Sequence, residues 1–116
     1  MSQKVINRED IDLLFVSTMS DGFDKLFIVY YVTTNDINFY RMNYPIDSIL
    51  SERLNDSTFS VNDFIIGLIE RRHDLNKKLT FEELDVKLAS WGQISHEKAV
   101  NYHKQQTREI KINQII

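Results

Sequence analysis

The 116-residue sequence predicts an α+β domain, a three-stranded antiparallel meander followed by three or four helices packed on the sheet. Three observations carry that expectation. The first half is rich in β-branched and aromatic residues and is broken by two tight-turn signals. The second half switches to helical spacing with recognisable caps, and a hydrophobic content of 42% suits one ordinary core. Residues 1–116 are therefore read as a single domain.

The turn signals Asp21-Gly22 and Asn35-Asp36 divide the first half into strands at about 12–20, 23–34 and 37–43. If each is a two-residue hairpin, Phe15 faces Ile28 and Tyr31 faces Tyr40. The side chains then sort onto two faces. Leu13, Phe15, Leu26, Ile28, Tyr30, Val32 and Phe39 share one, with Arg41 and Asn43 at its edge. Leu14, Val16, Phe27, Val29, Tyr31, Tyr40, Met42 and Tyr44 share the other. Both faces are largely apolar, so each needs a cover.

Pro45 suits the first turn of a short helix carrying Ile46, Ile49, Leu50 and Leu54 and ending near Asn55. Ser60 starts a second helix, with Asp63 three residues on and Phe59 able to staple onto Phe64. Val61, Phe64, Ile65, Leu68 and Ile69 fill its apolar template. Residues 71–78 read as a charged connection. A third helix opens on a capping box, Thr80 with Glu83, stapled by Leu79 and Leu84, and its stripe of Phe81, Leu84, Leu88 and Trp91 stops at Gly92. Ser95 caps a fourth, running to about Thr107 with a thin stripe of Ala99, Val100 and Tyr102. The tail REIKINQII alternates like a short C-terminal strand and is equally compatible with a frayed end.

Composition narrows the function classes. The absence of cysteine removes disulfide frameworks, thiolate nucleophiles and cysteine zinc sites, and it suits a reducing cytoplasm. No run approaches the ~18 apolar residues of a membrane span, and the N-terminal residues lack the apolar stretch of an export signal. Three glycines and one proline leave no glycine-rich phosphate cradle, which argues against nucleotide-driven chemistry. Abundant Asn and Ile fit AT-rich coding of the kind found in a low-GC bacterium or in its phage and other mobile elements. Charge divides unevenly: residues 1–70 carry 11 acids and 5 bases, residues 71–116 carry 6 acids and 9 bases.

Candidate catalytic sites are weak. His96 and His103 lie about two helical turns apart, Glu70 precedes His73 by one turn without a second Glu-x-x-His, and no metal site is expected. The paired carboxylates Glu9-Asp10 and Glu82-Glu83 sit at helix starts or in a charged lead-in, where the helix dipole explains them. No glycine elbow places a serine on a strained turn. No catalytic residue and no cofactor are expected; a residual hydrolytic reading would use His73 or His103.

Two binding readings compete. If all helices pack on one side of the meander, Phe27, Tyr31, Tyr40 and Tyr44 form an exposed aromatic face suited to a protein partner or to self-association as a homodimer. Alternatively the fourth helix or the C-terminal strand covers that face. The first alternative makes the protein a small non-enzymatic inhibitor, adaptor or regulator. The rival is a DNA-binding regulator. Residues 87–104, KLASWGQISHEKAVNYHK, resemble a helix-turn-helix: Leu-Ala closes one helix, a glycine turn follows, and Ile-Ser opens the next. Gln93 stands where a small residue is usual, and Ile94 to Val100 is one residue longer than the common spacing. Within the wider segment 81–106, the resemblance implies that His96, Lys98, Asn101, Lys104 and Gln105 would face double-stranded DNA.

Overall fold

The first hairpin turns at Gly22-Phe23, one residue later than Asp21-Gly22 suggested. Gly22 occupies the first central position at φ +63, as a type II′ turn requires, and Asp21 pairs with Asp24. The computed structural model describes residues 6–88 and 92–115, apart from the side chains of residues 88, 93, 94 and 108–115. It is an α+β fold with sheet order β1-β2-β3-β4, all antiparallel. The strands are β1 (Ile11–Asp21), β2 (Asp24–Thr33), β3 (Asn38–Pro45) and β4 (Lys77–Leu79). The helices are α1 (Ser48–Leu54), α2 (Val61–Arg72), α3 (Phe81–Leu88) and α4 (Gln93–Ile115).

Moving the turn by one residue moves the pairing by two, so Phe15 faces Tyr30 and Ser17 faces Ile28. An even shift preserves the faces. A bulge between Leu13 and Phe15 does not: Leu13 pairs with Tyr31 and joins the cluster around it, while Leu14 is buried with Tyr30, Val32 and Phe39. These two leucines therefore exchange the faces that strict alternation assigns them. The second hairpin keeps the expected register, with Tyr31 opposite Tyr40. Its connection carries Ile37 at φ +49 and is tied by a hydrogen bond from the Thr33 hydroxyl to Asp36 Oδ1.

The two apolar faces receive separate covers. On one, Phe27, Val29, Tyr31 and Met42 pack beneath Leu50 of α1 and Ile65, Leu68 and Ile69 of α2. On the other, Leu14, Tyr30, Val32, Ile37 and Phe39 pack with Leu79, Leu84 of α3 and Ala99 of α4. The helices thus sandwich the sheet, which gives each sheet side a dry contact without a long loop.

Local signals explain most helix starts. Asp47, after the proline, caps α1 by accepting from Leu50 N at 2.8 Å; Pro45 ends β3 opposite Leu26 and does not open the helix. Ser60 accepts from Asp63 N at 3.3 Å to start α2, with the Phe59 and Phe64 rings 5.5 Å apart. Thr80 and Glu83 form the full capping box, Glu83 N to Thr80 Oγ1 at 3.2 Å and Thr80 N to Glu83 Oε1 at 3.1 Å. These bonds to the backbone and side chain of Thr80 hold the Glu83 carboxyl below its usual range.

Two expectations change. The charged connection contains the end of α2, a 3-10 turn at His73–Leu75, and β4, whose Leu79 pairs with Phe39. The C-terminal strand is absent because the backbone stays helical to Ile115; no glycine or proline after Gly92 interrupts α4. Trp91 and Ala89, and the side chains of Leu88, Gln93 and Ile94, lie outside the described residues. Among the described residues, no helix is long and apolar enough to cross a membrane.

Candidate functional site

The tyrosine-bearing face is covered, and by elements other than those expected. α1 and α2 lie over it, whereas α4 packs on the opposite side. Phe27 is 1% exposed and Tyr31 0%, so neither can serve as a surface contact in this fold. The cause is the connection after β3: Asp47 starts a helix at the sheet end, and α2 returns its Ile65-Leu68-Ile69 stripe across the strands. Tyr40 and Tyr44 remain partly exposed at opposite ends of β3.

Tyr31 and Tyr40 belong to a polar knot at the C-terminal end of α2. The Tyr31 hydroxyl accepts from Asn76 Nδ2 at 2.9 Å and lies 2.8 Å from His73 Nδ1. The hydroxyl and Nδ1 share one hydrogen bond whose donor is set by the imidazole tautomer. Burial lowers the imidazole pKa, against the opposing pull of Asp36 and Asp74. Burial also pushes the Tyr31 phenol well above its ordinary value. Tyr40 stacks on Tyr31 at 5.4 Å and meets the His73 ring edge-on at 4.5 Å. These groups bond and stack on one another at the end of the core. His103 is likewise packed, stacked on Phe81 at 3.9 Å. Among the described residues, no three His, Asp or Glu side chains converge as metal ligands do.

α4 uses two of its five predicted DNA-facing residues to hold itself on the protein. Lys98 Nζ lies 2.7 Å from Asp12 Oδ1 and donates to the Leu13 carbonyl at 3.2 Å. His96 Nε2 meets Asp85 Oδ1 of α3. Tyr102 donates to Asp12 Oδ2 at 2.7 Å, and Gln106 Nε2 to the Ile37 carbonyl at 2.8 Å. Burial, together with the Asp12 bond and charge, pushes the Tyr102 phenol up to about 12. Asn101, Lys104 and Gln105 lie on the exposed side of the helix. The spacing of Lys98, Tyr102 and Gln106 at four-residue intervals is the signal for a sheet-facing polar stripe.

The remaining aromatic surface gathers around Tyr44. A cleft of about 490 Å³ is lined by Phe23, Lys25, Leu26, Tyr44, Pro45 and Ile46, among others. A smaller one of about 150 Å³ lies between Tyr44, Ile49, Leu50, Arg53 and Phe64. Tyr44 separates the two. Its ring is set by Phe64, edge-on at 6.1 Å, and by the Arg72 guanidinium 5.1 Å from its centre. Phe23, at the hairpin turn, is 105% exposed, and Ile49 is 64% exposed. The sequence places Phe23 at the start of a strand and Ile49 in a helix's apolar spacing; the structure leaves both exposed, Phe23 because the turn falls one residue later. Asp24, Lys25, Asp47 and Arg53 supply a mixed-charge rim. Aromatic residues beside clefts with a polar rim share the anatomy common among protein-contact surfaces. No protein-family model, curated protein or solved structure matches this chain, so the geometry carries the functional argument.

Proposed function

We propose that the chain is a small non-enzymatic binding protein, an inhibitor, adaptor or regulator that works by contacting another protein around Tyr44. The observation that carries this reading is the pair of clefts meeting at Tyr44, flanked by the exposed Phe23 and Ile49. An aromatic ring held by neighbours loses little freedom on binding, which favours it as an anchor. A cytoplasmic setting fits the cysteine-free sequence. The His73 and Tyr31 groups already satisfy each other, which supports a structural role for them.

A photocrosslinking amino acid placed at Phe23, at Ile49 and, as a control, at the exposed Val86 of α3 tests the reading in cells. Discrete protein adducts are expected from the first two positions, lost when Tyr44→Asp is added. Equal adducts from Val86, or none from any position, would overturn it. Duplex DNA contact draws on Asn101, Lys104 and Gln105 alone. It requires that Lys104→Glu weaken a salt-dependent DNA affinity.

A further inference from the structure

The open edge of the sheet carries an inference separate from the Tyr44 surface. β1 is an edge strand of 11 residues. Near its start the edge is closed, because Lys98 donates to the outward Leu13 carbonyl. From Val16 on, no described residue closes it. Lys25 directs its carbonyl to Ile46 N on the β3 side, so the β1 residues opposite that set of β2 positions direct their backbone groups outward. They are Val16, Thr18 and Ser20, opposite Val29, Phe27 and Lys25. Among the described residues, this stretch meets only a long contact from the Ser17 hydroxyl to the Thr18 carbonyl, 3.5 Å.

We infer that β1 pairs antiparallel with β1 of a second copy about a two-fold axis at Thr18, joining the two sheets into one. In that register Thr18 faces Thr18, Val16 faces Ser20 and Ser17 faces Met19. The three outward donors of each copy meet the three outward acceptors of the other. Charge favours the match. No charged residue lies between Asp12 and Asp21, and Asp12 is already paired with Lys98, so no like charges meet across the axis. Asp21 of the copy falls opposite Phe15, on the sheet face where Arg41 and Lys87 line a cleft with Phe15, Ser17 and Met19. Met19, 52% exposed in the single chain, packs beside Ser17 of the copy. Threonine opposite threonine is a favourable cross-strand pair. A foreign strand would gain from a charge on this edge to select it; the edge offers none and is complementary to itself.

Molar mass by light scattering across protein concentration tests this pairing on the full chain. The wild type is expected to move from monomer to dimer. Thr18→Pro removes an outward N–H without touching the β1–β2 ladder and is expected to leave a folded monomer. Thr18→Lys, which opposes two like charges at the axis, is expected to do the same and covers failure of the proline variant to fold. Because the chain has no cysteine, Thr18→Cys gives a single thiol. Facing residues about 5.5 Å apart can form a disulfide, whereas in this register residue 20 lies about 14 Å from its own copy. Thr18→Cys is therefore expected to oxidise to a dimer much faster than Ser20→Cys. A wild type that stays monomeric at every concentration would overturn the inference, as would a dimer indifferent to Thr18→Lys. Adducts of Thr18→Cys with a different protein would also overturn it, in favour of a foreign strand.

Discussion

β4 and β1 close the same sheet at opposite edges, and they are built on opposite rules. β4 is 3 residues long and presents Lys77 and Lys78, both exposed. β1 runs for 11 residues and carries neither charge nor proline from Leu13 to Ser20. Short length and lysine are devices that keep a sheet edge from pairing with other chains. β1 has a bulge at Leu14 and the Lys98 contact at Leu13, but both act near its start. The helices close both faces around the middle of the meander, while the far end of the first hairpin is left with Met19 and Phe23 exposed. The difference teaches that the two edges of one sheet can differ in length and charge, β4 covering β3 only from Phe39 to Arg41 with two lysines and β1 running long and uncharged beyond Leu13.

That contrast has force only if the faces are sealed, so the most damaging test opens one. Ile69 is 0% exposed within the Phe27, Val29 and Tyr31 cluster. Ile69→Ala is expected to cost about 2–5 kcal/mol in urea unfolding. A cost below about 1 kcal/mol would mean that α2 does not seal the sheet.

The next test addresses the polar knot at the end of the same face. Tyr31→Phe removes the hydroxyl shared by His73 and Asn76 and is expected to cost about 1–3 kcal/mol. The knot also sets a pH dependence. His73 is harder to protonate in the folded state, so the unfolded chain takes up its proton first as pH falls below about 6.5. The stability this neutral histidine provides is present above that pH and is lost on acidification. Thermal melts should therefore fall as the pH drops from about 6.5 toward 5, before the carboxylates protonate. His73→Asn keeps an acceptor without the titration and should flatten the slope in that window.

Smaller effects bear on the edges themselves. Lys98→Met uncovers the Leu13 carbonyl and takes a partner from Asp12; for this partly exposed pair a loss of about 1 kcal/mol or less is expected by chemical denaturation. Faster exchange near Leu13 should accompany it, and unchanged exchange would show that Lys98 does not guard the edge. The smallest stability change, within about 0.5 kcal/mol, is expected from replacing Lys77 and Lys78 together by Thr. With both edges then unguarded, light scattering should detect species larger than a dimer. Unchanged assembly would show that the lysines are not the protecting device.

Much of this architecture was legible in the sequence, and the misreadings have local causes. The capping residues Ser60, Thr80 and Glu83 announced α2 and α3 because their side chains bond directly to the helix starts. The Tyr31–Tyr40 pairing followed from turn length. The first register was off by two because Gly22 can occupy either central turn position, and only the pairing of Asp21 with Asp24 decides which. The Leu14 bulge leaves no mark in hydrophobic alternation, since Leu13 and Leu14 are equally apolar. β4 was hidden by its two lysines, a polar signature that belongs to guarded edges as much as to loops. At the candidate site, Tyr44 was legible as an aromatic residue near a strand end. The burial of Phe27 and Tyr31 was not, because both apolar faces needed a cover and periodicity does not say which helix takes which side.

Amide hydrogen exchange at Val16, Thr18 and Ser20, followed over a wide range of protein concentration, compares the two edges most directly. These three outward amides are expected to gain protection as concentration rises, while the exposed β4 edge stays unchanged. Rapid exchange of all three at every concentration would contradict the β1 pairing.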